Sequence, residues 1–257
     1  MDILIISLIT FVTAILTFFS GFGLGTILAP VFALFFPIDI AIALTGVVHF
    51  TNNVFKITLV GRNTNLKVLL RFGIPAIIAA FGGAWLLMKI SDLPSLFQYS
   101  MWGNVYEVSP VKLIIGLLLI GFSVIEVLPS AQKVQFGKDK LMLGGVLSGF
   151  FGGLTGIQGA LRTAFLMKSG LSKESFIATG VVIASMVDFT RLTVYASRFT
   201  SAHMQENLFL LISATLAAIA GAILGKKLLK KVTMRSIQLL VSVFLVLISI
   251  ALIMGLI

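Results

Sequence analysis

The sequence predicts an all-α polytopic membrane protein built as an inverted repeat: two halves, each a glycine-broken re-entrant hairpin followed by three transmembrane helices. Three observations predict it. The chain is 58% hydrophobic and only 11% charged, with a mean hydropathy of +1.12, far outside the composition of a soluble domain. Uncharged runs at 3–38, 72–88, 207–225 and 236–257 approach or exceed the ~20 residues that span ~30 Å of hydrocarbon. Glycine-rich breaks recur at matching places in the two halves. The longest polar interruption, 91–110, is too short to bury a core of its own, so residues 1–257 read as one integral membrane domain and an extramembrane enzyme domain is excluded.

Taken in order, the first uncharged run would measure about 54 Å as a straight helix, so it must bend. Gly21-Phe22-Gly23-Leu24-Gly25, ahead of Pro30, is where backbone freedom allows it. Helices are expected over about 38–61, 66–89 and 111–130. Between the last two lies a polar-aromatic insert whose Tyr99, Trp102 and Tyr106 suit a membrane interface. A second broken element, 141–167, is centred on the glycine-rich stretch 149–159. Helices over about 173–197, 204–229 and 235–257 complete the chain. The start, with Asp2 and no basic leader, reads as mature structure rather than a signal peptide.

An offset of 135 residues relates the halves, 1–130 and 139–257. It pairs Gly21 with Gly156, Ile42 with Ile177, Ala43 with Ala178, Val47 with Val182 and Thr58 with Thr193. More tellingly, it pairs Asp39 with Glu174, Asn53 with Asp188 and Lys56 with Arg191. Charge then selects the topology. If both breaks are re-entrant, one face collects 13 of the 19 basic residues and the other receives Lys89, Lys112 and Arg198; Lys56, Arg162 and Arg191 stay inside apolar segments. Eight full spans in two four-helix halves, the alternative, would divide the same loop residues 7 to 9 and carry no orientation signal. An odd number of crossings per half inverts one half relative to the other, the ground plan of many secondary transporters.

Irregular backbone at membrane depth must face protein or a water-filled cavity, so both breaks point inward. The arms that resume after them, near Thr26 and Gly159, present unpaired N–H groups at dipole ends that favour anions. Arg162, just inside the second arm, adds a guanidinium fork suited to carboxylate or sulfonate oxygens. The candidate substrate-binding residues are therefore Arg162, Gln158, Gly159, Thr155, Gly156, Gly23, Gly25, Asn52 and Asn53. Asp188 and Arg191, three apart on one helix, can pair; either the pair is structural, or Asp188 switches or carries a proton. They are the candidate coupling or gating residues together with Lys56, which also has a snorkelling route to the interface, and His49, which has no visible acidic partner.

His203 reads as a loop residue, and the basic run 226–231 as a solvated helix end. With no cysteine, thiolate and Cys-ligated metal or cluster chemistry are excluded; two histidines without a metal-binding spacing argue against a catalytic zinc, and no cofactor is implied. The net charge of +10 records topology rather than nucleic acid. The expected partners are a small anion, membrane lipids and a coupling proton or sodium ion, with a homo-oligomer left open.

Gly21-Phe-Gly-Leu-Gly-Thr-Ile-Leu-Ala-Pro30 and Gly156-Ile-Gln-Gly-Ala-Leu-Arg162 resemble the paired glycine-rich motifs of the sulfite exporter TauE/SafE family of membrane permeases, and the likeness covers nearly the whole chain. It implies export or movement of small anions, including sulfite and organosulfonates, in a bacterial or archaeal plasma membrane. Two departures stand out: Gln158 replaces a usual glycine, and Phe165 stands at the position matching Pro30. Two other readings remain beside an alternating-access carrier. An anion channel would use the same electropositive breaks. An intramembrane enzyme acting on a lipid phosphate finds no paired carboxylates or nucleophile-base set in its support.

Overall fold

The computed structural model describes residues 2–17, 24–128, 136–201, 207–228 and 234–257. In chain order these form α1 (Asp2–Thr17), α2 (Leu24–Ala33), α3 (Ile38–Val60), α4 (Leu66–Ser91), β1 (Phe97–Met101), β2 (Asn104–Val108), α5 (Pro110–Val127), α6 (Leu141–Thr155), α7 (Gly159–Leu166), α8 (Lys173–Ser201), α9 (Leu208–Leu228) and α10 (Met234–Ile253). The expected all-α membrane architecture is found, with four helices long and apolar enough to cross a bilayer at Ile38–Asn63, Leu66–Ser91, Lys173–Ala196 and Leu208–Gly225. Gly21, Gly23, His203 and residues 229–233 lie outside the described residues.

Local signals set the helix boundaries. Asn65 caps α4 by accepting from the Val68 N–H at 3.0 Å, and Ser109 caps α5 with Pro110 in its first turn. Pro37 precedes α3, whose first turn carries Asp39. In α4 both faces are apolar, as a membrane helix requires. Leu66, Leu70, Ile74, Ile78, Phe81 and Trp85 form the exposed stripe; Val68, Phe72, Ala76, Ala80 and Ala84 form the buried one. The exposed stripe is bulky throughout, whereas alanines and glycines occupy much of the buried one between Phe72 and Leu87, because lipid accepts bulk while helix contact rewards smallness.

The insert between α4 and α5 is a β-hairpin rather than an irregular loop. Its strands pair Tyr99 with Tyr106, whose rings stack 5.5 Å apart. Trp102 (φ 52) and Gly103 (φ 78) both take positive φ, as the tight turn demands. The Tyr99 hydroxyl donates to the Met254 carbonyl at 2.7 Å, which docks the hairpin on the end of α10.

The second break is a true hairpin. The α6 helix ends on Gly156 (φ 79), and α7 runs back beside it: Ser148 Oγ donates to the Gln158 carbonyl at 3.1 Å, and Phe165 near the end of α7 covers Gly144 near the start of α6. The two ends close together, with the Phe136 N–H donating to the Ala164 carbonyl at 3.3 Å and Lys138 Nζ lying against Gly170. At about 22 and 12 Å, neither arm spans the hydrocarbon alone. The eight-span alternative fails for this half.

The helices pack across the two halves. Along α4 and α6, which run parallel, Gly145 meets the Phe72 carbonyl, Gly149 that of Ala76, Gly153 that of Ala80, and Gly83 that of Phe150; a Cβ at any of the four would overlap that oxygen. In the corresponding place α1 packs on α9, where Gly221 meets the Phe11 carbonyl. The α3–α8 pair crosses antiparallel through the centre, from Gly46 against Leu192 to Asn63 accepting from Ser175 Oγ at 2.8 Å, and α5 pairs with α10 through reciprocal Ser123–Ser242 contacts.

Gly149→Val should lower stability by about 1–3 kcal/mol, at the upper end because the obstacle is backbone. Gly82→Ala, with open space around it, should be neutral or stabilising by about 0.5–1 kcal/mol. Thermal unfolding of both purified variants in detergent checks the pair.

Candidate functional site

Where α3 and α8 cross, the carboxylate of Asp188 is fully buried and ringed by donors from four directions. His49 Nδ1 stands 2.6 Å and Asn53 Nδ2 3.1 Å from Oδ2; Gln158 Nε2 stands 3.3 Å and Arg191 Nε 3.0 Å from Oδ1. Two of these donors belong to α3, one is the residue capping α7, and one lies a turn further along α8. The chain Arg162 Nη1 to Gln158 Oε1 (3.2 Å), then Gln158 Nε2 to Asp188, ties the half-buried Arg162 into the same network. Lys56, also half-buried, lies within electrostatic range of Arg162. Against one carboxylate the neighbourhood therefore holds Arg191, Arg162 and Lys56, and its balance is positive.

Arg191 has more donors than Asp188 uses. Its Nη2 sits 2.9 Å from Oδ1, an ion-pair contact rather than an aligned hydrogen bond, and the Tyr195 hydroxyl lies within hydrogen-bonding range of the same guanidinium; beyond these contacts Nη1 and Nη2 find no aligned acceptor among the described residues although the side chain is wholly buried. Two glycines make room for this guanidinium. A Cβ at Gly46 would stand 3.4 Å from Cζ, and one at Gly156 2.9 Å from Nη1. The Gly156 carbonyl lies in turn against Gly25, only 3.1 Å from where a Cβ there would be, so the second break touches the first turn of α2. Around this meeting point the Thr26 and Thr45 hydroxyls are buried without partners; two turns beyond Thr45 on the same stripe of α3, so is the whole Asn52 amide. Buried polar groups are almost always bonded, so these side chains stand out among the described residues.

The expected site residues thus separate. Arg162, Gln158, Asn53, His49, Asp188 and Arg191 form one network, while Asn52 and Asn53, though adjacent, point to different surroundings. Gly159 is buried at the start of α7, where Gln158 makes no side-chain cap, so the first-turn N–H groups rely on the surroundings. The Thr155 hydroxyl is engaged within the turn itself, donating to the Phe151 carbonyl at 2.8 Å and accepting from the Ile157 N–H at 3.1 Å. Gly156 and Gly25 form the contact between the breaks.

One expectation is overturned: His49 does have an acidic partner, on a helix 139 residues away. The repeat offset held the signal, since it pairs Asn53 with Asp188 and His49 lies one turn before Asn53. Thr26, Thr45 and Tyr195, whose hydroxyl donates to the Gly153 carbonyl, were not singled out by sequence. Among the described residues no cluster of His, Asp and Glu is placed to hold a metal ion.

The model of the sulfite exporter TauE/SafE family matches residues 6–252. The chain belongs to this family. Neither the curated proteins nor the solved structures contain a match to it. TauE/SafE membership brings a transporter role, and the buried charge network lies inside the matched region. Phe165, the departure in the second half at the position matching Pro30, is accommodated by Gly144 and by the Phe136 ring stacked 4.1 Å away.

Asp188→Asn leaves Arg191 buried without a counter-charge and should destabilise the protein by about 3–5 kcal/mol, whereas Asp188→Asn combined with Arg191→Leu should recover much of that loss. Denaturation midpoints of the two single variants and the double variant measure the coupling.

Proposed function

We propose that the protein is a secondary transporter that moves a small anion, such as sulfite, an organosulfonate or a related organic anion, by alternating access. The observation that carries this reading is the wholly buried guanidinium of Arg191, whose donors outnumber the acceptors around it, at the point where the two helix breaks touch. A cation edge, hydroxyls of Thr26 and Thr45 and the first-turn N–H groups of α7 suit a compact oxyanion better than any apolar or cationic solute. Arg162 and Gln158 stand beside this point from the second hairpin and would receive the anion on one approach; Asn52, further along α3, would receive it on the other. The surplus of positive charge favours an anion entering a region that excludes water, where charge interactions are least screened.

The reading includes an inverted repeat of 1–130 and 139–257. Its support is a packing scheme that maps onto itself when the halves are exchanged: α4 on α6 answers to α9 on α1, while α3 on α8 and α5 on α10 each answer to themselves. Asn53 and Asp188, matched by the 135-residue offset, bond to each other where a two-fold relation requires equivalent residues to meet. Such a relation places the substrate point near the bilayer midplane with equivalent routes to both sides. A channel would share the electropositive breaks. The full burial of Arg191, Thr26 and Thr45 favours a carrier that closes over its solute.

Asn52→Leu separates binding from folding. Its amide has no protein partner, so the substitution should leave stability unchanged or raise it by about 1–3 kcal/mol, while anion transport falls about tenfold or more. Thermal-shift titration with sulfite, thiosulfate and methanesulfonate, paired with liposome flux, reads both effects. A probe that stabilises wild type should stabilise Arg162→Ala far less. Equal stabilisation and unchanged flux of every probe in both variants would remove these residues from the anion path.

A further inference from the structure

We propose that the His49–Asp188 pair is the coupling site of the transporter and that its ion is a proton rather than sodium; this rests on the anion-transport reading above. Asp188 offers the buried carboxylate that either ion would need, but all four side chains around it present nitrogen: His49 Nδ1, Asn53 Nδ2, Gln158 Nε2 and Arg191 Nε. A sodium ion wants a cage of oxygens and would here be pushed away by donors and by a guanidinium. A proton needs one lone pair. With Nδ1 donating to Oδ2 at 2.6 Å, the lone pair is on Nε2 of the imidazole, and Asn53 Nδ2 stands 3.4 Å from it. Imidazole is also the side chain that changes charge in the ordinary working range of pH.

The charges acting on His49 are Asp188 and Arg191 from α8 and Lys56 from α3; Arg162 reaches the same carboxylate through Gln158. The α2 helix and residues 208–225 of α9, which also pack on α3, contain no ionisable side chain. With His49 neutral, Asp188 and Arg191 cancel. A proton on Nε2 leaves the trio with one net positive charge beside the Nη edge of Arg191, and an anion there restores neutrality. Proton and anion therefore favour each other's binding, by the same factor in both directions. Protonation also converts Nε2 from acceptor to donor. Since His49 and Asn53 come from one half and Asp188 and Arg191 from the other, the titration acts on the contact between the halves.

The test uses the full chain in liposomes with methanesulfonate and thiosulfate, whose charge does not vary over the neutral range, and sulfite as a third probe whose own titration is common to every variant. Exchange of labelled for unlabelled probe without a gradient reports transport; accumulation under an imposed pH difference reports coupling. Wild type should accumulate a monovalent probe about tenfold per pH unit for one proton per anion. A trapped pH dye should record protons moving with the anion. His49→Gln, which replaces the titratable imidazole by a neutral amide, should lose accumulation at least tenfold more than it loses exchange. Wild-type exchange with no response to the pH difference and no dye signal would overturn the proton site alone, whether or not the variant folds. Accumulation by His49→Gln equal to wild type, or accumulation driven by sodium instead, would overturn it too. Absence of exchange with all three probes would bring down the transport reading itself.

Discussion

A carboxylate removed from water has to be surrounded by donors, and the centre of this protein is organised by how Asp188 meets that requirement. No single helix can supply enough donors at the right angles. The solution draws His49 and Asn53 from one half of the chain and Gln158 and Arg191 from the other, so satisfying one side chain fixes the α3–α8 crossing and the position of the second helix break together. Because a buried polar network is strong when complete and costly when partial, the crossing is specified by chemistry as much as by shape.

Two kinds of contact divide the structure mechanically. Along α4 and α6 the glycines bring backbone against backbone with no side-chain layer between them, and such an interface has no alternative packing to slide into. Along α3 and α8 the contact is a set of hydrogen bonds between side chains that can rotate. The glycine contact is thus the stiffer of the two and the side-chain crossing the more adjustable. Tyr195, bonded to the Gly153 carbonyl, connects the rotating contact to the rigid one.

Much of this could be read before any coordinates. Glycine breaks, apolar runs and the basic-residue imbalance depend on local composition, and they led to the hairpin that Gly144 and Phe165 close. The Asp188–Arg191 pair was legible because it is a property of one helix. His49's partner was not, because it depends on which helices cross, although the offset that aligned Asn53 with Asp188 contained the answer once a two-fold relation was taken literally. Thr26 sits inside the first glycine motif but, like Thr45, carries no charge, so only burial marks the two hydroxyls. The turn at Trp102-Gly103 was hidden by expecting aromatic rings to serve lipid contact rather than strand pairing.

The α1–α9 contact has a bearing on how the molecule is made. Phe11 and Ala14 close on Gly221, some two hundred residues further along, so α1 has no permanent neighbour on that face until α9 has been made. During that interval it must be held by lipid or by the insertion machinery, and the final architecture is reached only when a late helix slots against an early one.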